Sequence, residues 1–535
     1  MSDSALPVTG AVAAPRQGKK VPKKAEALVL PLFRAGGDVP AEAETDSDGD
    51  REEAGKAPVT AAGGTVELPA PEFLGSETLE ALLARIEAVG ATGAAGEVTR
   101  IAAPTEGEAG HDAALPATVI AVGLGSADEL DDEVLRRATG TVARTLTAVE
   151  PEFSAVATTL GDFGLRAAVE GWLLGSYRYT GFKAAGAKAP GVTFVADWKG
   201  AKKEFVAGQV TAESTNLVRD LVNTPANHLY PAVYADILAA TAEEYGVKAN
   251  VLDAKALRKQ GFGGVLAVGQ GSAREPRVVE LRWKPKKKKK STPKLALVGK
   301  GITFDTGGIS LKPAKTMEDM ISDMGGSAAA AAAVFAAARL NLDVEVTATV
   351  ALAENMPSGS ATRPGDVITH YGGITSEIIN TDAEGRVVLA DAITRAAEGE
   401  PDYLVETSTL TGAQIVALGN RTAGVMGTEE LRDRVAALGR EIGENAWAMP
   451  LLEEHEETVV SPVADIRNSP NSRDGGMLYA AMYLSQFVPE GLEWAHVDVA
   501  GPSYNTGAAR GYTPKRATGT PVRTFIALAE ELAAR

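Results

Sequence analysis

Asp382 and Glu384 stand two residues apart in the segment NTDAEGR (380–386), and Arg386 follows two further on, at the mouth of the apolar run VVLADAITRAA. The flanking pattern reads strand (EIIN), turn (TDAEG), then helix. In an extended turn, residues two apart point the same way, so the two carboxylates can converge on one point. Ordinary helix capping would account for Asp382 as an N-cap and Glu384 as a first-turn acid. It does not account for Arg386, because the helix dipole disfavours a cation in the first turn unless an anion is bound there.

A second group of chemistry-bearing residues lies upstream. In LALVGKGITFDTGGISLKP (295–313), Lys300 and Asp305 end a buried apolar strand, and Lys312 follows a glycine-rich loop. Such strand ends are where sites form in open α/β sheets. Pairing of Lys300 with Asp305 is the plain structural reading. The next segment, 316–340, reads as one helix that sets Asp319 and Asp323 four apart on one face, with Met320 beside them. Together, Asp305, Asp323, Asp382 and Glu384 could not all ionise side by side without compensating charge. Two divalent cations about 3.5–4 Å apart would supply it, and would also activate a water and stabilise an oxyanion. Oxygen ligands do not sharply separate zinc from manganese or magnesium. The chain has no HExxH, no GxSxG elbow, no phosphate-binding P-loop and no cysteine, and its five histidines are scattered. Cys-ligated metals and thiol catalysis are thereby excluded, and a His-based site or a Ser–His–Asp triad is disfavoured.

The elements that must position these residues follow an α/β rhythm. The chain has 535 residues, 45% hydrophobic and 23% charged, which predicts two globular domains. Residues 1–24 read as a disordered tail and 25–206 as an N-terminal α/β domain. Within it, 36–58 reads as a disordered acidic loop with eight acids and two bases. Residues 207–535 read as the catalytic domain. There, strands at 249–252, 277–283, 294–299, 344–353, 376–380, 402–407 and 494–499 alternate with helices, which predicts a mostly parallel, doubly wound sheet. KPKKKKKSTPK (284–294), with its lysine run 286–290, reads as a solvated hairpin tip. A net charge of −17 argues against nucleic acid as a partner. No apolar h-region and no run of about 18 apolar residues appear, which predicts a cytoplasmic protein without a membrane span.

DLVNTPANHLYP, GFGGVLAVGQGS, VGKGITFDTGGISLKP, SDMGGSAAA, ALAENMPSGSATRPGDV, NTDAEGR, STLTGAQIVALG, RDGGMLYAAMYLSQFV and WAHVDVAG, in this order across 210–525, resemble the leucyl aminopeptidase (M17 cytosol aminopeptidase) family. The resemblance implies a smaller N-terminal α/β domain and a larger catalytic domain on a mixed sheet. It implies removal of N-terminal residues, leucine-like ones preferred, from peptide substrates, and assembly as a homohexamer. It also implies two divalent ions per subunit, zinc or manganese. Asp305 and Glu384 would bridge them, Lys300 and Asp323 would complete the exchangeable site, and Asp382 the tighter one. Lys312 would polarise the scissile carbonyl and hold its oxyanion. Arg386 would hold a bicarbonate that acts as general base toward the attacking water. Met320, Thr409, Leu410 and Gly412 match positions lining the side-chain pocket or its edge.

Ser408 stands where the family often has alanine, and the lysine run and the acidic stretch resemble insertions. None of the metal- or oxyanion-linked positions is altered. The competing reading is a DNA-binding or scaffold role, whose only support is the lysine run.

Overall fold

A computed structural model of the chain describes residues 10, 12–36, 56–60, 64–183, 186–286 and 291–535. They divide into two compact units, 10–213 with 508–514, and 214–507 with 515–535. The boundary expected at 206/207 falls inside the helix Ala201–Asn223.

In the first unit, the strands Pro15–Gly18, Gly191–Val195, Ala155–Thr158, Ala27–Arg34 and Thr118–Gly125 pair in parallel in that order, with Val98–Ala102 antiparallel at the edge. Val66–Ala70 pairs antiparallel with Ala27–Arg34 and with Lys56–Thr60. Alternation in ALVLPLF sends Leu28, Leu30 and Leu32 into one buried cluster and Val29 and Phe33 into another, so the sheet is covered on both faces. Of the expected disordered tail 1–24, residues 1–9 and 11 lie outside the described residues, and the rest is corrected: Pro15–Gly18 is a strand held by its backbone pairing with Val192–Val195. Of the expected acidic loop, 37–55 lie outside the described residues, and 56–58 belong to the strand Lys56–Thr60.

The second unit is built on an eight-stranded mixed sheet. Glu493–Asp498, Tyr403–Ser408, Lys294–Asp305 and Glu345–Asn355 run parallel at its centre. Arg277–Trp283 pairs antiparallel with Glu345–Asn355 on one side and with Lys248–Leu252 on the other. Arg277–Trp283 and Lys294–Asp305 are therefore not neighbours, and the segment between them is not a hairpin tip: Glu345–Asn355 lies between the two strands. Lysines 287–290 lie outside the described residues.

The strand Lys294–Asp305 sets the site. Ala296 and Val298 pack into the cluster shared with Val387, Val388 and Ile393 of the helix Gly385–Ala397. With a two-residue period, Lys300 points to that same face. Gly299 faces the helix Gly325–Arg339, so closely that a Cβ would lie 2.5 Å from the Ser327 Cα. Between Ile302 and Phe304 the register shifts by a bulge, which re-aims the strand end carrying Asp305.

Two expected elements differ. Residues 316–340 are not one helix: a 3-10 turn Met317–Ser322 is followed by the α-helix Gly325–Arg339. The break falls at Asp323, whose carbonyl accepts from the Ile302 amide instead of continuing the helix. Asp319 and Asp323 thus do not share a helical face. The stretch 317–339 has the length and apolarity of a membrane span, yet 89% of its apolar 18-residue window is buried, as in the core of a globular unit. The strand expected at 376–380 is shorter, Thr375–Glu377, and belongs to a separate three-stranded sheet with Val367–Thr369 and Ile466–Arg467.

Candidate metal centre

Asp305, Asp382 and Glu384 each place a carboxylate oxygen within 4.8 Å of the other two. Lys312 Nζ lies between two of them, 2.7 Å from Asp305 Oδ2 and 2.5 Å from Asp382 Oδ1. Lys300 Nζ contacts Asp323 Oδ1 at 2.7 Å and Glu384 Oε1 at 2.8 Å, and donates to the Thr409 carbonyl at 3.0 Å. The plain pairing of Lys300 with Asp305 is therefore not the one formed. Lys300, Asp305, Asp323 and Glu384 are buried, whereas the side chains of Lys312 and Asp382 remain 21% and 31% exposed, which makes theirs the open side of the cluster.

Glycines permit this density. Gly385 opens the helix above Lys300, and a Cβ there would lie 2.8 Å from the lysine Nζ. Gly307, at φ +86°, passes so close to Asp382 that a Cβ would lie 2.8 Å from its Oδ1. Glu384 itself is helical (φ −78°, ψ −33°) and occupies the N-cap position, so Asp382 is not the cap. The two carboxylates converge through the bend of the turn, not through an extended alternation.

Burial and neighbouring charge pull the titrations apart. Burial, reinforced by Glu384, pushes the Asp305 carboxyl up to about 6, against the pull of Lys312 and Lys300. Burial likewise raises Asp323 well above the ordinary carboxylate range, and raises Asp382. Burial would raise Glu384 too, but Lys300 and Lys312 outweigh it and hold that carboxyl low. Burial disfavours both ammonium groups, yet the carboxylates overcome it and raise Lys300 and Lys312 above ordinary lysine.

Arg386 is buried and has no carboxylate within ion-pair distance among the described residues. Its Nη1 donates to the Asn468 carbonyl at 3.0 Å and its guanidinium lies 5.5 Å from the Tyr479 ring centroid. Its Nε has no hydrogen-bond partner among the described residues. Burial lowers its pKa. A guanidinium with a spare donor and no anionic partner is suited to a small anion.

The four expected pocket residues are placed as follows. Thr409 donates its hydroxyl to Asp323 Oδ1 at 2.7 Å, so it touches the carboxylate cluster directly. Leu410 is tied by its amide to Asp498 Oδ1 at 3.1 Å, Gly412 starts the helix Gly412–Leu418 in open space, and Met320 lies in the 3-10 turn that ends at Asp323. A cleft with about 340 Å³ of empty space adjoins the cluster, lined by Glu384, Asn355, Thr381 and Asn468 with apolar Val268 and Val387; Met320, Thr409, Leu410 and Gly412 do not line it. The Ser408 hydroxyl is buried without a partner.

Sequence reasoning missed the polar groups that support the cluster. Asn355, Thr381, Asn468 and Asp498 are buried and hydrogen-bonded to it or to its loops. A Ser–His–Asp chain also exists: His370 Nδ1 meets Asp391 Oδ1 and its Nε2 meets Ser376 Oγ, both at 2.9 Å. All three side chains are buried, so this chain braces the helix Gly385–Ala397 and offers no exposed nucleophile.

The donor set fits divalent cations. It offers four carboxylates and an amine, and Asp323 Oδ2 and Glu384 Oε2 are buried without hydrogen-bond partners among the described residues. Such oxygens are costly unless an ion or water satisfies them.

Residues 216–526 match the model for the cytosol aminopeptidase family catalytic domain, and 59–186 match that family's N-terminal domain. A protein of Corynebacterium efficiens named "Probable cytosol aminopeptidase" is 54% identical over 541 residues, spanning 100% of this chain and 99% of its own. One of the same name from Mycobacterium tuberculosis H37Ra is 49% identical over 482 residues, 88% of this chain and 92% of its own. A solved structure, "Bottromycin maturation enzyme BotP in complex with Mn", superposes with a TM-score of 0.78 at 32% identity, over 95% of this chain and 100% of that one.

Proposed function

The chain belongs to the cytosol aminopeptidase family and is a metal-dependent aminopeptidase, and on that premise we propose that it removes leucine-like N-terminal residues from peptides with two divalent cations per subunit. The observation that carries this reading is the four-carboxylate cluster bridged by Lys300 and Lys312. Asp305 and Glu384 would be shared ligands, Lys300 and Asp323 would complete one site, and Asp382 the other. When bound, the ions supply Lewis-acid polarisation and a water acidic enough to attack near neutral pH. The relative solved with manganese makes Mn the first ion to test, with Zn the alternative.

The chain's own residues divide the remaining work. Lys300 would have to lose its proton to act as a ligand, and Asp323 and Glu384 would then face a metal ion in place of an ammonium. Lys312, partly exposed on the open side, is placed to meet a substrate carbonyl oxygen and hold the charge that develops there. Arg386 would hold bicarbonate through its spare donors, giving a base for the attacking water. Met320, Thr409, Leu410 and Gly412 would line or border the pocket for the departing residue's side chain. Cytoplasmic location and a homohexamer accord with this reading.

The test is metal content measured on the sample assayed for leucine p-nitroanilide hydrolysis. About two ions per chain, with activity lost on chelation and regained with Mn or Zn, is the expected result. Absence of metal under any loading, or metal bound without turnover of any free-amine amide, overturns it.

A further inference from the structure

The turn that carries Asp382 and Glu384 has left its sheet. Strand pairing ends at Glu377, and Ile378 still exchanges backbone hydrogen bonds with Asp366 and Gly365, so the backbone groups beyond it need other partners if buried. One side chain, 88 residues away in sequence, supplies them. Asn468 Oδ1 accepts from the Ile379 amide at 2.8 Å and the Asn380 amide at 3.2 Å. Its Nδ2 donates to the Asn380 carbonyl at 2.7 Å and the Ala383 carbonyl at 3.3 Å. A carboxamide has two acceptor lone pairs and two donors, and all four are used. The main chain of Asn468 is fixed as well. Its amide donates to the Glu377 carbonyl at 3.0 Å, and its carbonyl accepts from Arg386. The residue is fully buried.

A second asparagine does the complementary task. Asn355 lies opposite Asp305 in the sheet register. Its Nδ2 donates to Asp305 Oδ1 at 2.8 Å and to the Thr381 carbonyl at 3.0 Å. Its carbonyl accepts from the Thr306 amide at 3.0 Å and the Thr306 hydroxyl at 2.7 Å. It therefore joins the loop after Asp305 to the turn before Asp382, and Thr381 reinforces the joint by donating its hydroxyl to the Gly307 carbonyl at 2.7 Å.

We propose that Asn355 and Asn468 are the positioning residues of the metal centre: two buried carboxamides that hold the Asp305 loop and the Asp382–Glu384 turn at the spacing that divalent cations require. This rests on the two-metal reading above. Neither amide is a ligand in that reading. Each acts on the backbone or carboxylate that presents a ligand, and loss of such outer contacts typically weakens metal binding about 10–100-fold.

The experiment titrates metal-stripped full-length chain with Mn²⁺ alone by calorimetry, for wild type, Asn468→Ala, Asn468→Ser and Asn355→Ala. Circular dichroism and melting of the metal-free proteins are recorded alongside. The expected result is at least tenfold weaker Mn²⁺ binding in both alanine variants, measured well below their melting temperatures, with a smaller loss in Asn468→Ser. Activity lost at low Mn²⁺ should recover as Mn²⁺ is raised. A role in stability alone would lower the melting temperature and leave the affinity ratio at one, and that result overturns the proposal. If Asn468→Ala does not fold, Asn468→Ser and Asn355→Ala report the same ratio. Failure of the wild type itself to bind Mn²⁺, and Zn²⁺ in a repeat titration, overturns the two-metal reading, and the proposal with it; the wild-type titration and the variant ratio keep the two failures apart.

Discussion

Replacing Gly385 with alanine is expected to lower activity far more than it changes overall stability. Gly385 is the first residue of the helix Gly385–Ala397 and its φ is not positive, so alanine fits the backbone. On helix propensity alone, Gly→Ala in such a place stabilises by about 0.5–1 kcal/mol. The new Cβ, however, would lie 2.8 Å from Nζ, Cε and Cδ of Lys300. Ordinary contact begins near 3.4 Å, so the end of the lysine must retreat by about 0.6 Å. It cannot do so freely, because Nζ is held at once by Asp323, Glu384 and the Thr409 carbonyl. A shift of that size takes the contact with the Thr409 carbonyl beyond hydrogen-bonding range and stretches those with Asp323 and Glu384, a loss of about 1.5–3 kcal/mol for a hydrogen bond from a charged group.

That loss is partly offset by the gain in helix propensity, and what remains displaces the amine of the cluster. A displacement approaching 1 Å at reacting groups can cost on the order of 100-fold in rate. The assay is kcat/KM for leucine p-nitroanilide at saturating Mn²⁺, with metal content and melting temperature measured on the same preparation. The expected outcome is a fall of about 10–100-fold in kcat/KM, with a melting temperature within a few degrees of wild type. Wild-type kcat/KM with normal metal content would refute the reasoning, because Lys300 would then not need the space that glycine leaves.

Lys312→Met removes the charge beside the open face and is expected to lower kcat by about 100-fold or more with a smaller change in KM, read from steady-state kinetics; an equal rise in KM with kcat intact would remove Lys312 from oxyanion stabilisation. Asp391→Ala strands the Val265 and Tyr371 amides and the His370 ring nitrogen, all within 3.0 Å of its carboxylate, and is expected to cost about 3–6 kcal/mol in urea unfolding of the catalytic unit. Burial lowers the His496 pKa, but its contact with Glu406 outweighs burial and the net shift is upward. A raised folded-state value gives stability that is complete below the unfolded pKa of about 6.5 and fades as pH rises through the folded value. Melting temperature is therefore expected to decline above neutrality more steeply in wild type than in Glu406→Gln, and parallel pH profiles would refute this.

The residues of the centre were legible because their types are out of place. Lys300, directly after an apolar strand, and Arg386, at a helix start, each break a local rule; the structure sets Lys300 between Asp323 and Glu384, and Arg386 against the Asn468 carbonyl. The sheet was legible in kind from strand–helix alternation, but not in order. Sequence adjacency made Arg277–Trp283 and Lys294–Asp305 look like partners, whereas Glu345–Asn355 is inserted between them. The break at Asp323 was hidden for a related reason. The composition of 316–340 favours a continuous helix, and what interrupts it is a hydrogen bond from Ile302 of another element.

Asparagine is the least legible of all, and for a physical reason. A carboxylate or ammonium announces itself by the cost of burying charge, so its presence in an apolar stretch demands a partner. A carboxamide has no charge, and asparagine is common in loops because its side chain readily replaces missing backbone partners. Nothing local separates Asn468, which saturates the 379–383 turn, from a surface loop residue. The distinction lies in which backbone groups are left unpaired elsewhere, and that is settled only when the sheet ends at Glu377 and the turn must close without it. A centre of this kind is thus written twice: in charged residues that any single segment reveals, and in neutral amides whose meaning depends on where a distant strand stops.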